Sequence, residues 1–154
     1  MITLQFSATS GLTSAAIKIY QRGWPSHVDA VMVSGALVGA RSDAIGGQLP
    51  GVRVRPPGYE LWSRTEIVRL PIDSTVETAF WTFLSQQLGK PYDKLAILAF
   101  AVQRDWREDG SWFCSELIAA ALEKSGWFTG PLSDVANKVT PRDLLLILSP
   151  WSRP

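Results

Sequence analysis

The sequence predicts an α+β fold, and three observations carry that reading. Segments that alternate apolar and polar residues with period two fill the first half of the chain. Segments with apolar residues three and four apart fill the second half, and strands first with helices after is the α+β order. The third observation is size: 154 residues, 46% hydrophobic and 19% charged, suit one compact domain over residues 1–154.

Taken in order, Ile2, Leu4 and Phe6 alternate with Thr3 and Gln5, which reads as a half-buried strand. LTSAAIKIYQRG follows, with Leu12, Ala15, Ala16 and Tyr20 at helical spacing and Gly23 and Pro25 as its stop. SHVDAVMV is a second strand, closed by Ser34-Gly35, and ALVGA is its hairpin partner. Both faces of SHVDAVMV are largely apolar, so it belongs inside the sheet. Gly46-Gly47 and Pro50-Gly51 bound a loop before the strand VRVRP, and TEIVRLPI adds a further strand near residues 65–72. DSTVETAFWTFLSQQLG then switches to helical period. Asp73 or Ser74 caps it, Val76, Phe80, Phe83, Leu84 and Leu88 form its stripe, and Gly89 stops it. Pro91-Tyr92-Asp93 opens LAILAFAVQ, apolar all round and expected to be buried. FCSELIAAALEKSG is the clearest helix, and TPRDLLLIL starts on Thr-Pro and ends at Pro150.

Composition excludes several functions. A formal charge of +1 and the lack of a basic patch leave no electrostatic footprint for nucleic acid. No run of eighteen apolar residues exists, so no transmembrane segment is expected. The first residues carry no positively charged export region, which makes a cytoplasmic protein the default expectation. One cysteine forbids an internal disulfide and a Cys-rich zinc site, and one histidine forbids any site that needs two imidazoles.

Those two single residues are the candidates for chemistry near neutral pH. Cys114 begins its helix, on the apolar face formed by Leu117, Ile118, Ala121 and Leu122. The positive helix end favours thiolate over thiol, and its unpaired N–H groups suit a developing oxyanion. Equally, a lone cysteine there is often a small core hydrophobe. His27 opens a strand after the Trp24-Pro25-Ser26 turn. A histidine in that place is either a satisfied structural residue or the base that deprotonates a facing cysteine.

Four motifs together resemble a known family. Ser26-His27-Val28 entering a strand, a hairpin with Gly35 and Ala40, and a Gly-Gly loop before VRVRP look like the histidine half of the NlpC-type papain-like hydrolases. Gly89-Lys90-Pro91-Tyr92-Asp93 and Phe113-Cys114-Ser115-Glu116-Leu117-Ile118 look like the cysteine half. Histidine precedes cysteine here, the reverse of the ordinary order, which is similar to the circularly permuted YiiX-like branch; the closing Val139-Thr140-Pro141-Arg142-Asp143-Leu144 is similar to that branch as well. The resemblance covers about residues 2–147. It implies a permuted papain-like fold, an antiparallel sheet with a helical layer that carries the cysteine. It also implies Cys114 as nucleophile and His27 as general base and later general acid, with no metal and no organic cofactor. Relatives act on cell-wall peptide amides, and similar permuted folds, including the lecithin:retinol acyltransferase group, act on acyl lipids. A small peptide or acyl-lipid substrate is therefore expected, with delivery by phage machinery a route to a cell-wall substrate.

The family usually places a polar residue on the hairpin strand after the histidine, just before an alanine, to orient the imidazole. Here that position is Gly39. Either a backbone carbonyl serves, or Asp29, Ser42 or Asp43 substitutes. Asp29 shares the histidine's face but stands about 6.8 Å along the strand. If the seat is simply vacant, Gly39→Glu is expected to fill it; if Gly39 makes room for a neighbour, the same change blocks the cleft. Tyr92 is either a cleft residue that helps the oxyanion site or a packed turn residue. Glu116 reads as a stabilising charge at the positive helix end. Trp24 and Trp112 either wall the cleft or belong to the core, and the charged loop 104–109 reads as solvated. The rival to an acyl-cysteine hydrolase or acyltransferase is a non-catalytic ligand-binding module on the same fold.

Overall fold

A computed structural model describes residues 1–93, 110–130, 132 and 139–152. Its strands are β1 (Ile2–Ala8), β2 (His27–Val31), β3 (Leu37–Arg41), β4 (Gly51–Arg55) and β5 (Arg64–Leu70). Its helices are α1 (Leu12–Gln21), α2 (Ser74–Gln87), α3 (Cys114–Lys124) and α4 (Pro141–Leu148), and a short 3-10 turn (Ser149–Trp151) follows α4. The strands form one antiparallel sheet in the order β4-β3-β2-β1-β5, so the fold is α+β as the two periodicities predict. The segment LAILAFAVQ and the loop 104–109 lie outside the described residues. Among the described residues no helix is long and apolar enough to cross a membrane.

The alternation in β1 does what period two requires. Ile2, Leu4 and Phe6 are fully buried, and they share the core with Val28, Ala30, Val38, Ala40 and Val52 of the neighbouring strands. Helix α3 packs across β2 and β3, with α2 and α4 against it. Leu117, Ile118, Ala121 and Leu122 of α3 are buried in the same cluster, which sets Cys114 one turn earlier at the first helical position. The register of the β2–β3 hairpin pairs Ala30 with Val38 and Val31 with Leu37, and so brings Asp29 opposite Gly39.

Helix α1 buries a different face from the one its apolar residues predict, and α2 buries the predicted face with a polar residue added to it. In α1 the inward residues are Ser14, Ile17 and Gln21, while Ala16 and Tyr20 are exposed. Hydrogen bonds decide this rotation: Ser14 Oγ donates to the Thr9 carbonyl at 2.8 Å and lies 2.6 Å from Ser26 Oγ. Gln21 spans to α4, accepting from the Arg142 N–H at 3.2 Å. In α2 the buried residues are Phe80, Leu84 and Gln87, and Leu88 is exposed. Gln87 Oε1 is drawn in by the Trp112 indole N–H at 3.1 Å and by Lys90 at 2.7 Å. Asp73 is the α2 cap and accepts from the Thr75 and Val76 N–H groups at 2.8 and 2.9 Å.

Candidate active site

The first residue of β2 and the first residue of α3 meet. His27 is buried, and Cys114, itself buried at the helix start, is among the groups that act on its imidazole. The imidazole Nε2 makes a 2.9 Å ion-pair contact with Asp29 Oδ1. With Nε2 given to the carboxylate, Nδ1 is the nitrogen left for the thiol. Asp29 therefore bridges the distance along β2 that its sequence position implies. Ser42 and Asp43 do not hold the ring. Ser42 lines the adjoining cavity, and Asp43 is turned onto Arg41, with contacts of 2.7 Å to Nε and 2.8 Å to Nη2.

Three residues that sequence reasoning passes over complete the setting. Tyr59 donates its hydroxyl to Asp29 Oδ2 at 2.8 Å, and its oxygen lies 3.3 Å from His27 Nε2. Trp62 stacks on the imidazole with planes 12° apart and centroids 5.9 Å apart. Arg41, opposite His27 across the hairpin, lays its guanidinium over the Tyr59 and Trp62 rings at 5.4 and 5.6 Å and pairs with Glu60. Tyr59 and Trp62 sit in the Pro56–Ser63 connection between β4 and β5. Two large aromatics in a stretch opened by Pro-Pro-Gly were the available signal, since such residues need a surface to cover.

The electrostatics follow from this packing. Burial alone drives the His27 imidazole toward its neutral form. The charge and hydrogen bond of Asp29, joined by those of Cys114, outweigh burial and raise it to about 9. Burial likewise pushes the Asp29 carboxyl up, but the charge and hydrogen bond of His27, the Tyr59 hydroxyl and the Arg41 charge hold it below the usual carboxylate range. Burial first, and the Asp29 charge second, push the Tyr59 hydroxyl far above an ordinary phenol, so it stays a donor to Asp29.

Tyr92 is buried, its ring set against Phe113, and it borders the cavity that His27 also lines. The Cys114 charge contributes to holding its hydroxyl well above the usual phenol range, after burial. Glu116 accepts from the Phe113 N–H at 3.2 Å, as a charge at the positive end of α3 should. Trp112 belongs to the core beside Phe83, and Trp24 lies under the Arg64 guanidinium; neither lines the cavity. The cavity has a volume of about 360 Å³, and its walls mix Ser10, Ser14, Ser26, Ser42, Asp43 and Glu60 with Ile17, Ala40, Leu61 and Tyr92; Cys114 is not among its lining residues.

The chain is similar in fold to the crystal structure of the metalloprotein YiiX from Escherichia coli O157:H7, with a TM-score of 0.58 and 16% identity over 86% of this chain and 68% of that one. At that identity the likeness is one of fold alone, and it agrees with the YiiX-like branch that the motifs resemble. No protein-family model matches the chain, and no curated protein matches it in sequence.

Proposed function

We propose that the chain is a papain-like cysteine hydrolase or acyltransferase that cleaves an amide or ester through an acyl-cysteine intermediate. One observation carries the reading. The buried side chains of the only cysteine and the only histidine of the chain act on each other, and a carboxylate oxygen stands 2.9 Å from the ring Nε2. In this reading His27 takes the Cys114 proton, and the sulfur attacks the carbonyl carbon of the substrate. The negative charge that develops on the carbonyl oxygen meets the Cys114 N–H at the positive start of α3 and the Tyr92 hydroxyl. As the carbon–nitrogen or carbon–oxygen bond breaks, the His27 imidazolium returns its proton to the leaving group. Water, or an acceptor hydroxyl or amine, then attacks the thioester with His27 again as base, and Cys114 is regenerated.

The metal in the description of YiiX has no seat in the residues described here. Among them no three His, Cys, Asp or Glu side chains converge on one point, and the nitrogen and oxygen at the centre, His27 Nε2 and Asp29 Oδ1, are turned on each other.

The test is labelling and turnover in one series. Iodoacetamide should label Cys114 at neutral pH far faster than an unperturbed thiol, and His27→Ala should slow the labelling in a folded chain. Release of product from a short peptide amide or ester should vanish in Cys114→Ala. Equal labelling rates in wild type and His27→Ala, with no turnover in wild type, would overturn the reading in favour of a ligand-binding module.

A further inference from the structure

The β2–β3 register, continued one residue beyond Ala30 and Val38, sets Gly39 beside Asp29. A Cβ built on Gly39 would stand 1.9 Å from Asp29 Oδ1 and 3.0 Å from its Cγ, with the Val28 carbonyl oxygen at 3.3 Å. No side chain fits there while the carboxylate stays. Gly39 is not among the residues of positive φ, so the carboxylate excludes a side chain and backbone strain does not. One carboxylate oxygen makes a 2.9 Å ion-pair contact with His27 Nε2, and the other accepts from the Tyr59 hydroxyl at 2.8 Å.

Residue 39 lies diagonal to His27 across the hairpin, a separation of about 7–8 Å, much the same as the ~6.8 Å from residue 29 to residue 27 along β2. Two backbone positions therefore reach one ring nitrogen through one shared space. We propose that residues 29 and 39 are alternative seats for a single orienting carboxylate: Asp29 occupies the seat on β2 and positions His27, and Gly39 lacks a side chain because that carboxylate fills the place of its Cβ. This rests on the reading of His27 as the base of Cys114. Gly39 thereby governs the imidazole, since any larger residue drives the carboxylate off the ring. The other charged or titratable groups that face His27 are Arg41 and Asp43 from β3 and the loop after it, Tyr59 from the β4–β5 connection, and Cys114 from α3.

The single histidine makes the test direct, because one imidazole signal in a nuclear magnetic resonance pH titration of the full chain is His27. Wild type should titrate well above 6.5. Asp29→Ala and Gly39→Ala should each lower the midpoint by about 1–3 pH units, the effect of removing an opposite charge from contact. The double change Asp29→Ala with Gly39→Asp should restore it toward wild type, since the carboxylate returns from the other strand. A Gly39→Ala midpoint equal to wild type, or a double variant that titrates like Asp29→Ala, would overturn the proposal. If Gly39→Ala does not fold, the comparison of Asp29→Ala with the double variant decides alone. The readout is independent of turnover. A chain with no hydrolase activity but a restored midpoint rejects the proposed function and keeps the shared seat; an active chain whose midpoint ignores residue 39 does the reverse.

Discussion

Asp29 reaches His27 because Tyr59 and the open space over Gly39 steer its carboxylate along the strand. A buried carboxylate needs its lone pairs occupied, and the Tyr59 hydroxyl fills the side that His27 does not. Tyr59→Phe keeps the ring under Arg41 but removes the O–H. The loss of a hydrogen bond to a charged group should destabilise the chain by about 1.5–3 kcal/mol, read as a lower urea midpoint with an unchanged slope. An unchanged midpoint would mean that the hydroxyl contributes nothing to holding Asp29. Trp62 acts on the opposite part of the site, as a flat cover on the imidazole face.

At the scale of elements, caps and buried polar side chains decide how each helix is oriented. Asp73 accepts two N–H groups at the start of α2, so Asp73→Ala should cost about 1 kcal/mol in unfolding free energy. In α1 the contrast between two residues is sharper. Gln21 is buried and tied to Pro25 and Arg142, and Gln21→Leu leaves those groups unpaired at a cost of about 1–3 kcal/mol. Ala16, part of the apolar stripe in the sequence, is exposed, and Ala16→Lys should change stability by less than about 0.5 kcal/mol. Thermal or urea unfolding of the two variants side by side checks the rotation of the helix; a large loss in Ala16→Lys would refute it.

For the whole molecule, the pair at the centre couples folding to pH. The folded imidazole is raised to about 9 from an unfolded value near 6.5. The folded chain therefore binds more protons than the unfolded one in that interval. The stability it contributes is complete below about pH 6.5 and is lost as pH climbs toward 9. The Asp29 carboxyl is held low, so its contribution is present above about pH 3.9 and lost as pH falls below it. Both halves of the pair are intact between about pH 4 and 6.5, and unfolding free energy should be greatest there. In a Cys114→Ala background the alkaline loss should remain, smaller by the share that Cys114 contributes, and it should disappear in Asp29→Asn. An alkaline limb of equal size in Asp29→Asn would show that other groups carry it.

What the amino-acid sequence determined by itself was local. Period-two alternation at Ile2, Leu4 and Phe6, the Ser34-Gly35 turn, the Asp73 cap and the Thr140 start each depend on neighbours within a few residues, and each formed where its pattern predicts. Helix faces were legible where apolar residues choose them, as in α3 and at Phe80, Phe83 and Leu84 of α2. In α1 and α2, Ser14, Gln21 and Gln87 are drawn inward by partners remote in the chain, which no periodicity records. The candidate site divides the same way. Cys114 and His27 stood out by being single, but their meeting across 87 positions, and the choice of Asp29 over Ser42 and Asp43, belonged to the tertiary structure. The physical reason is the hairpin register. It sets a residue with no side chain opposite Asp29, and only that empty volume lets a short carboxylate lean along its own strand to the imidazole.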